Sequence, residues 1–356
     1  MFADGALLCR LFCRAEGVRA FLIKGSPDRP IHHSPHFDAH RHSDTCRYPG
    51  TPAPTPFSLI WMADTQAYSY HAPELLEQTG KWVKNRIEQD NVIAVLHSGD
   101  MVDNGYKDWQ WENFDRALSQ FEELVPFYAV AGNHDMGVKR LRYDAYQKRP
   151  FLDAIPAEQK WDGGAVFYET FSAGGTEFLL LGVGFESTEQ DPNAYEWMDS
   201  VLKAHPGHVV IVLFHRYLKA DGEVYNQSKE DAERIVAKHE NVRLVLCGHT
   251  RDHAVRYDSF DDDADGVAER SVCCLMYNFQ ENKEDVAIRL LRFDPVKRTI
   301  SEETYSVLRD TEFFDPKTNT IPNHLIENGF YPTKKSDLCQ QHRSDFPFFG
   351  NGWLPP

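Results

Sequence analysis

The chain has 356 residues, of which 42% are hydrophobic, 13% aromatic and 26% charged, values that exclude a disordered or fibrous protein. Its 38 Lys and Arg stand against 54 Asp and Glu, a net charge of −16 that repels phosphate backbones and argues against nonspecific nucleic-acid binding. No run of about 18 apolar residues is present, which argues against a membrane-spanning helix.

In chain order, residues 1–55 show no periodicity. They carry scattered Arg, five histidines (His32, His33, His36, His40 and His42) and a Pro-rich exit. An irregular, solvated leader is the economical reading, with adventitious metal binding by the histidines the less economical one. The stretch 6–13 is apolar but interrupted by Arg10, a poor signal sequence.

From residue 57 the pattern changes. Residues 57–63 form a short apolar run ending at Asp64. Residues 72–89 then repeat apolar positions at helical spacing, through Leu76, Thr79, Val83 and Ile87. A second apolar run, 92–97, ends in Ser98-Gly99-Asp100. A helical stretch, 109–123, precedes a third run, 125–131, which leads into Gly132-Asn133-His134-Asp135.

Residues 166–171 and 177–183 flank Ala173-Gly174-Gly175 and predict a hairpin. Helices are expected over 193–203 and 228–239, and strands over 208–214 and 242–247, the latter ending at His215 and Gly248-His249. This alternation predicts right-handed crossovers and a largely parallel sheet. Runs at 270–277, 286–293 and 299–307 have no helix between them and predict an antiparallel set closing the fold. Beyond Arg309 the composition predicts a surface tail. Trp82, Trp109, Trp111 and Trp197 are expected in the core.

The seven cysteines, Cys9, Cys13, Cys46, Cys247, Cys273, Cys274 and Cys339, are odd in number and form no C-x-x-C pair. They read as free thiols, which favours a reducing compartment such as the cytoplasm.

Asp64, Asp100, Asn133, His215 and His249 each lie just beyond an apolar run. In open α/β sheets the carboxyl ends of the strands form the crevice where ligands bind. Carboxylates, an amide oxygen and imidazoles delivered to one rim make a cage suited to manganese, zinc or iron. Two such ions about 3.5–4 Å apart can clamp a phosphoryl group and activate water, with no need of a serine or cysteine nucleophile.

The motif string Asp64-Thr65-Gln66, Gly99-Asp100-Met101-Val102-Asp103, Gly132-Asn133-His134-Asp135, His215 and Gly248-His249-Thr250-Arg251 resembles that of the calcineurin-like metallophosphoesterases, over residues 58 to about 305. The resemblance implies an α/β fold of two facing mixed β-sheets flanked by helices. A domain over 56–308 would follow the leader 1–55 and precede a tail over 309–356. It implies hydrolysis of a small phosphorylated substrate, mono- or diester, with one or two divalent ions. By position, Asp100 resembles the bridging ligand and Asp64 a ligand of the first ion. Asn133, His215 and His249 resemble the ligands of the second. His134 resembles the group that contacts phosphate and protonates the leaving group, Asp135 the group that orients its ring, and Asp103 a residue that holds the loop.

Two positions depart from the family pattern, and both fall on the first ion: Gln66 and Arg251 stand where the family has histidines. Gln66 can still offer its amide oxygen, which suits a harder ion. Arg251 either supplies a fixed positive fork for phosphate oxygens or is a surface ion-pair partner. His253, two residues on, sits roughly 6–7 Å away along a strand and is a poor substitute. Asn104 either contacts phosphate or serves the turn Asp-Asn-Gly. Two rival readings are a weakened relative that binds a phosphorylated ligand without turnover, and a hydrolase of pyrophosphate linkages in nucleotides.

Overall fold

A computed structural model describes residues 54–280, 285–327 and 330. The leader and its histidines, most of the region past 327, and Cys9, Cys13, Cys46 and Cys339 lie outside the described residues. No helix among the described residues is long and apolar enough to cross a membrane.

The apolar runs become β1 (Phe57–Met62), β2 (Val92–His97) and β3 (Phe127–Ala129), which pair in parallel side by side. Between them lie a one-turn helix α1 (Gln66–His71), the long helix α2 (Pro73–Gln89) and α3 (Asp108–Leu118). A further single turn, α4 (Asn133–Met136), follows β3. All six residues of β1 are buried, as expected of a strand with structure on both faces.

The second half opens with β4 (Lys160–Trp161), then the hairpin of β5 (Val166–Ala173) and β6 (Thr176–Val183). Gly174 and Gly175 turn it with φ of 57° and 78°, a region open to glycine at little cost. The helix Asn193–Ala204 leads to β7 (Val209–Phe214), and β8 (Val242–Cys247) follows. Between β7 and β8 the chain is less regular than predicted: a π-helical segment, Ala232–Ala237, takes the place of a continuous α-helix.

Next come β9 (Asp252–Phe260), β10 (Arg270–Asn278), β11 (Ala287–Asp294), β12 (Thr299–Ser306), β13 (Thr311–Glu312) and β14 (His324–Ile326). They complete two mixed sheets. One runs β13-β12-β11-β1-β2-β3, with β14 also on β12, and the other β4-β5-β6-β7-β8-β10-β9. The predicted closing set is therefore divided. β11 and β12 pair antiparallel in the first sheet, while β10 lies in the second, parallel to β8 and antiparallel to β9. Strand β9 escapes the sequence pattern because Asp-His-Ala-Val-Arg-Tyr-Asp-Ser-Phe is a half-buried edge strand in which Asp252, Arg256 and Asp258 share a face with Ala254 and Phe260, while Tyr257 and Ser259 are exposed on the other.

Alternation along β7 divides its side chains between two cores. Val209, Ile211 and Leu213 meet β1 and β11 residues between the sheets, whereas Val210, Val212 and Phe214 pack with Met198 and Leu202 of the outer helix. Cys247, Cys273 and Cys274 are free, buried thiols in these layers. Trp111 and Trp82 are buried as expected, but Trp109 is 43% exposed. Because the parallel strands of each sheet end on the same side, β1, β2, β3, β7 and β8 deliver their following residues to one rim.

Candidate metal centre

Three residues at this rim adopt left-handed backbone: Asp64 (φ 53°), Asp100 (φ 56°) and His249 (φ 68°). Asp tolerates this region better than most residues, and such strain gathers at functional sites. The strand ends are tied across the gap. The Asp64 N–H donates to the Gly99 carbonyl (3.1 Å) and the Gly248 N–H to the His215 carbonyl (3.0 Å).

Both oxygens of the fully buried Asp64 carboxylate accept from the His249 N–H, at 3.1 and 3.0 Å. The Asp100 carboxylate accepts the His134 N–H on Oδ1 (2.8 Å) and the Gln66 amide on Oδ2 (3.2 Å). Two glycines make room for these carboxylates: a Cβ at Gly132 would fall on Asp100 Oδ1, and one at Gly248 on Asp64 Oδ2.

His215 Nδ1 donates to the Ser98 carbonyl (2.8 Å), which fixes the ring. Its Nε2 then faces Asn133 Oδ1 (3.1 Å), His249 Nδ1 (3.1 Å) and Asp100 Oδ2 (3.4 Å). A neutral His215 ring has one N–H, already committed, so its Nε2 lone pair faces the Asn133 and Asp100 oxygens, and within this group only an Nδ1–H tautomer of His249 supplies it a donor. A cation, or a second proton on the ring, reconciles them. Burial opposes that proton, but the Asp100 and Asp64 carboxylates outweigh it and hold the His215 ring up at about 9. Burial and the neighbouring His215 depress His249 to about 3, leaving it a neutral donor. The donor atoms of Asp100, His215 and His249 lie within 4.8 Å of one another.

Gln66 is buried and its Oε1 has no hydrogen-bond partner among the described residues. A buried amide oxygen left this way is costly unless something occupies it. The same amide is tied to Asp100 through its nitrogen, so this oxygen sits at the rim and is of the type that ligates a hard divalent ion. The carboxylates, imidazoles and amide oxygens gathered here thus suit a divalent metal.

The roles of two aspartates differ from the expectation. Asp135 does not touch the His134 ring. Its carboxylate accepts four backbone N–H groups, from Asp100 and Gly132 on Oδ2 (both 2.8 Å) and from Met101 and Val102 on Oδ1 (2.8 and 3.0 Å). Its side chain is turned into the loop because buried N–H groups of the Asp100 turn need an acceptor there. The His134 ring is held by Asp103 instead, donating from Nδ1 to its carbonyl (2.9 Å) with the Asp103 carboxylate 3.3 Å away.

Asn104 serves the turn: its Oδ1 accepts the Tyr106 N–H (3.1 Å) and its own N–H donates to Gln110 (2.8 Å). Arg251 is exposed and lines a cleft of about 540 Å³ with Gln66, Tyr70, His71, Asp103 and His134. His253 is grouped with Asp252 and Asp315, apart from Asp64 and Asp100. One residue of the rim was not foreseen. Phe185 lies 5.9 Å, ring to ring, from both His215 and His249, with Arg216 stacked over it at 4.6 Å. The signal was present, since Phe185 follows β6 just as the ligands follow their strands.

The family model described as calcineurin-like phosphoesterase matches residues 57–251, more than half of the chain. The chain belongs to the calcineurin-like phosphoesterases. It is 31% identical over 277 residues to the uncharacterized protein YvnB of Bacillus subtilis (strain 168), covering 75% of this chain. The match spans only 21% of that protein's length. It is 28% identical over 209 residues to a probable cyclic nucleotide phosphodiesterase of Moraxella catarrhalis (strain BBH18), covering 54% of this chain and 70% of the relative. The calcineurin-like fold is also that of a dimetal phosphatase from Danio rerio, with a TM-score of 0.51 at 14% identity over 70% of this chain and 96% of that one.

Proposed function

We propose that the chain is a metal-dependent phosphoesterase that hydrolyses small phosphate esters, diesters foremost. The observation that carries this reading is the convergence of Asp100, Asn133, His215 and His249, with the buried Asp64 carboxylate and a buried Gln66 oxygen that has no hydrogen-bond partner among the described residues at the same rim. Asp64, Gln66 and Asp100 would hold one divalent ion, and Asp100, Asn133, His215 and His249 a second; manganese, iron and zinc all suit such donors. Ions there supply Lewis-acid stabilisation of the phosphoryl oxygens and a water of lowered pKa.

The chain's own groups do the rest. His134 commits Nδ1 to the Asp103 carbonyl, so Nε2 is the ring atom left to hold a proton for the leaving oxygen. Arg251 on the cleft wall offers a guanidinium to the remaining phosphate oxygens. Asp135 fixes the Asp100 turn through its four N–H bonds and so sets the position of the shared carboxylate. The preference for diesters draws on the name of the Moraxella catarrhalis relative.

The test is hydrolysis of a generic aryl phosphodiester and the matching monoester with manganese, beside an Asp100→Asn control. Turnover that the control loses supports the reading. Equal turnover in both refutes it. The presence of Gln66 and Arg251 in place of histidines favours a second reading, ligand binding without turnover, which would show as manganese binding with no hydrolysis of either ester.

A further inference from the structure

Trp109 and Tyr70 are each 43% exposed, although tryptophan is highly buried on average. They are neighbours: their ring centroids lie 5.5 Å apart at 38°, and the His71 ring stands 4.0 Å from Tyr70. Tyr70 and His71 line the same cleft as His134 and Arg251.

The pair is fixed to the metal centre. Tyr70 and the ligand-bearing Gln66 share the single turn of α1. That turn is fastened to α3 by Asn113, whose side-chain amide donates to the Ser69 carbonyl at 2.8 Å. Trp109 lies four residues before Asn113 and therefore on the same face of α3, which sets its indole beside Tyr70. The cleft, at about 540 Å³, has room for much more than a phosphate group and is in the range of pockets that enclose a whole small molecule.

We infer that Tyr70 and Trp109 are specificity-determining residues, forming an aromatic platform that receives a planar ring in the organic part of the phosphate ester. The inference rests on the phosphoesterase reading for the position of the phosphate. It adds the class of substrate, a ring-bearing ester. Base and aryl rings stack on such surfaces, and the gain is tolerant of which ring is offered.

The experiment uses two probes with an unhydrolysable carbon–phosphorus bond and a shared anionic head, 2-phenylethylphosphonate and butylphosphonate. Each is titrated by calorimetry into the full chain in manganese. The wild type is expected to bind the ring-bearing probe at least about fivefold more tightly, the lower end of what stacking on an aromatic side chain contributes. Tyr70→Ala and Trp109→Ala should each reduce that ratio to below about twofold, and Tyr70→Phe should preserve it. A wild type that binds both probes equally or neither, or a ratio untouched by both alanine variants, would overturn the inference. Its failure is separable from failure of the phosphoesterase reading, because the Asp100→Asn hydrolysis comparison reads that independently. A chain that hydrolyses esters but ignores the ring loses only the platform.

Discussion

In the half of the centre built from Asp100, Asn133, His215 and His249, neighbouring donor atoms stand 3.1–3.4 Å from His215 Nε2. That imidazole is anchored from behind by the Ser98 carbonyl and flanked, with His249, by Phe185. The half built from Asp64 and Gln66 is sparser. It has one buried carboxylate of its own, an amide oxygen with no hydrogen-bond partner among the described residues, and an exposed arginine at the nearby cleft wall. The contrast teaches that the two family departures have a common address. On the proposed two-ion reading, one half is preorganised by packing and hydrogen bonds, and the other would be completed by what binds there.

Breaking what the halves share should have the largest effect. Asp100→Asn is expected to lower kcat/KM for an aryl phosphodiester by about 10³-fold or more, since it weakens ligation on both sides at once. Near wild-type kinetics would refute the shared role. The halves are then compared by manganese calorimetry. His249→Ala should lose one bound ion, whereas Gln66→Ala should keep the stoichiometry and weaken one site by about tenfold. Equal losses in the two variants would remove the asymmetry.

Asp103→Ala sharpens the comparison from outside the ligands. Ions should bind as in the wild type, and kcat should fall by about tenfold, because the carboxylate facing the His134 ring is gone while the carbonyl bond stays. The smallest effect is expected for Arg251→Ala, a rise in KM of about threefold with kcat little changed, as for a contact formed with bound substrate and transition state alike. A fall in kcat instead would assign Arg251 to the transition state and make it a stand-in for missing ligand charge.

Much of this was legible in the residues. Six-residue apolar runs such as Val-Val-Ile-Val-Leu-Phe in β7 announce strands buried on both faces, and a ligand type directly after each run announces the rim. What periodicity does not carry is partnership. Nothing in residues 270–278 says that β10 joins β8 while β11 joins β1, because pairing is a long-range relation that a local apolar pattern does not encode. Edge strand β9 lacks that signal for want of a second buried face. At the site, the exchange of roles between Asp103 and Asp135 was hidden for a similar reason: two aspartates of equal chemistry are told apart only by which buried N–H groups lie in front of them. Trp109 read as core because its helix is amphipathic, and only the placement of α3 against α1 shows which edge stays in water.

The two glycines that cradle the carboxylates have a consequence for how this rim can change over generations. Gly132 is held to glycine by the Asp100 side chain and backbone nitrogen together, and Gly248 chiefly by the side chain of Asp64, through lack of space rather than through backbone torsion. Gly132 stays glycine whatever side chain stands at position 100, but Gly248 and the Asp64 carboxylate form a unit of inheritance. A lineage that discarded Asp64 would release position 248 to drift. A side chain fixed there afterwards would bar the way back, turning the loss of one ligand into a ratchet against regaining it.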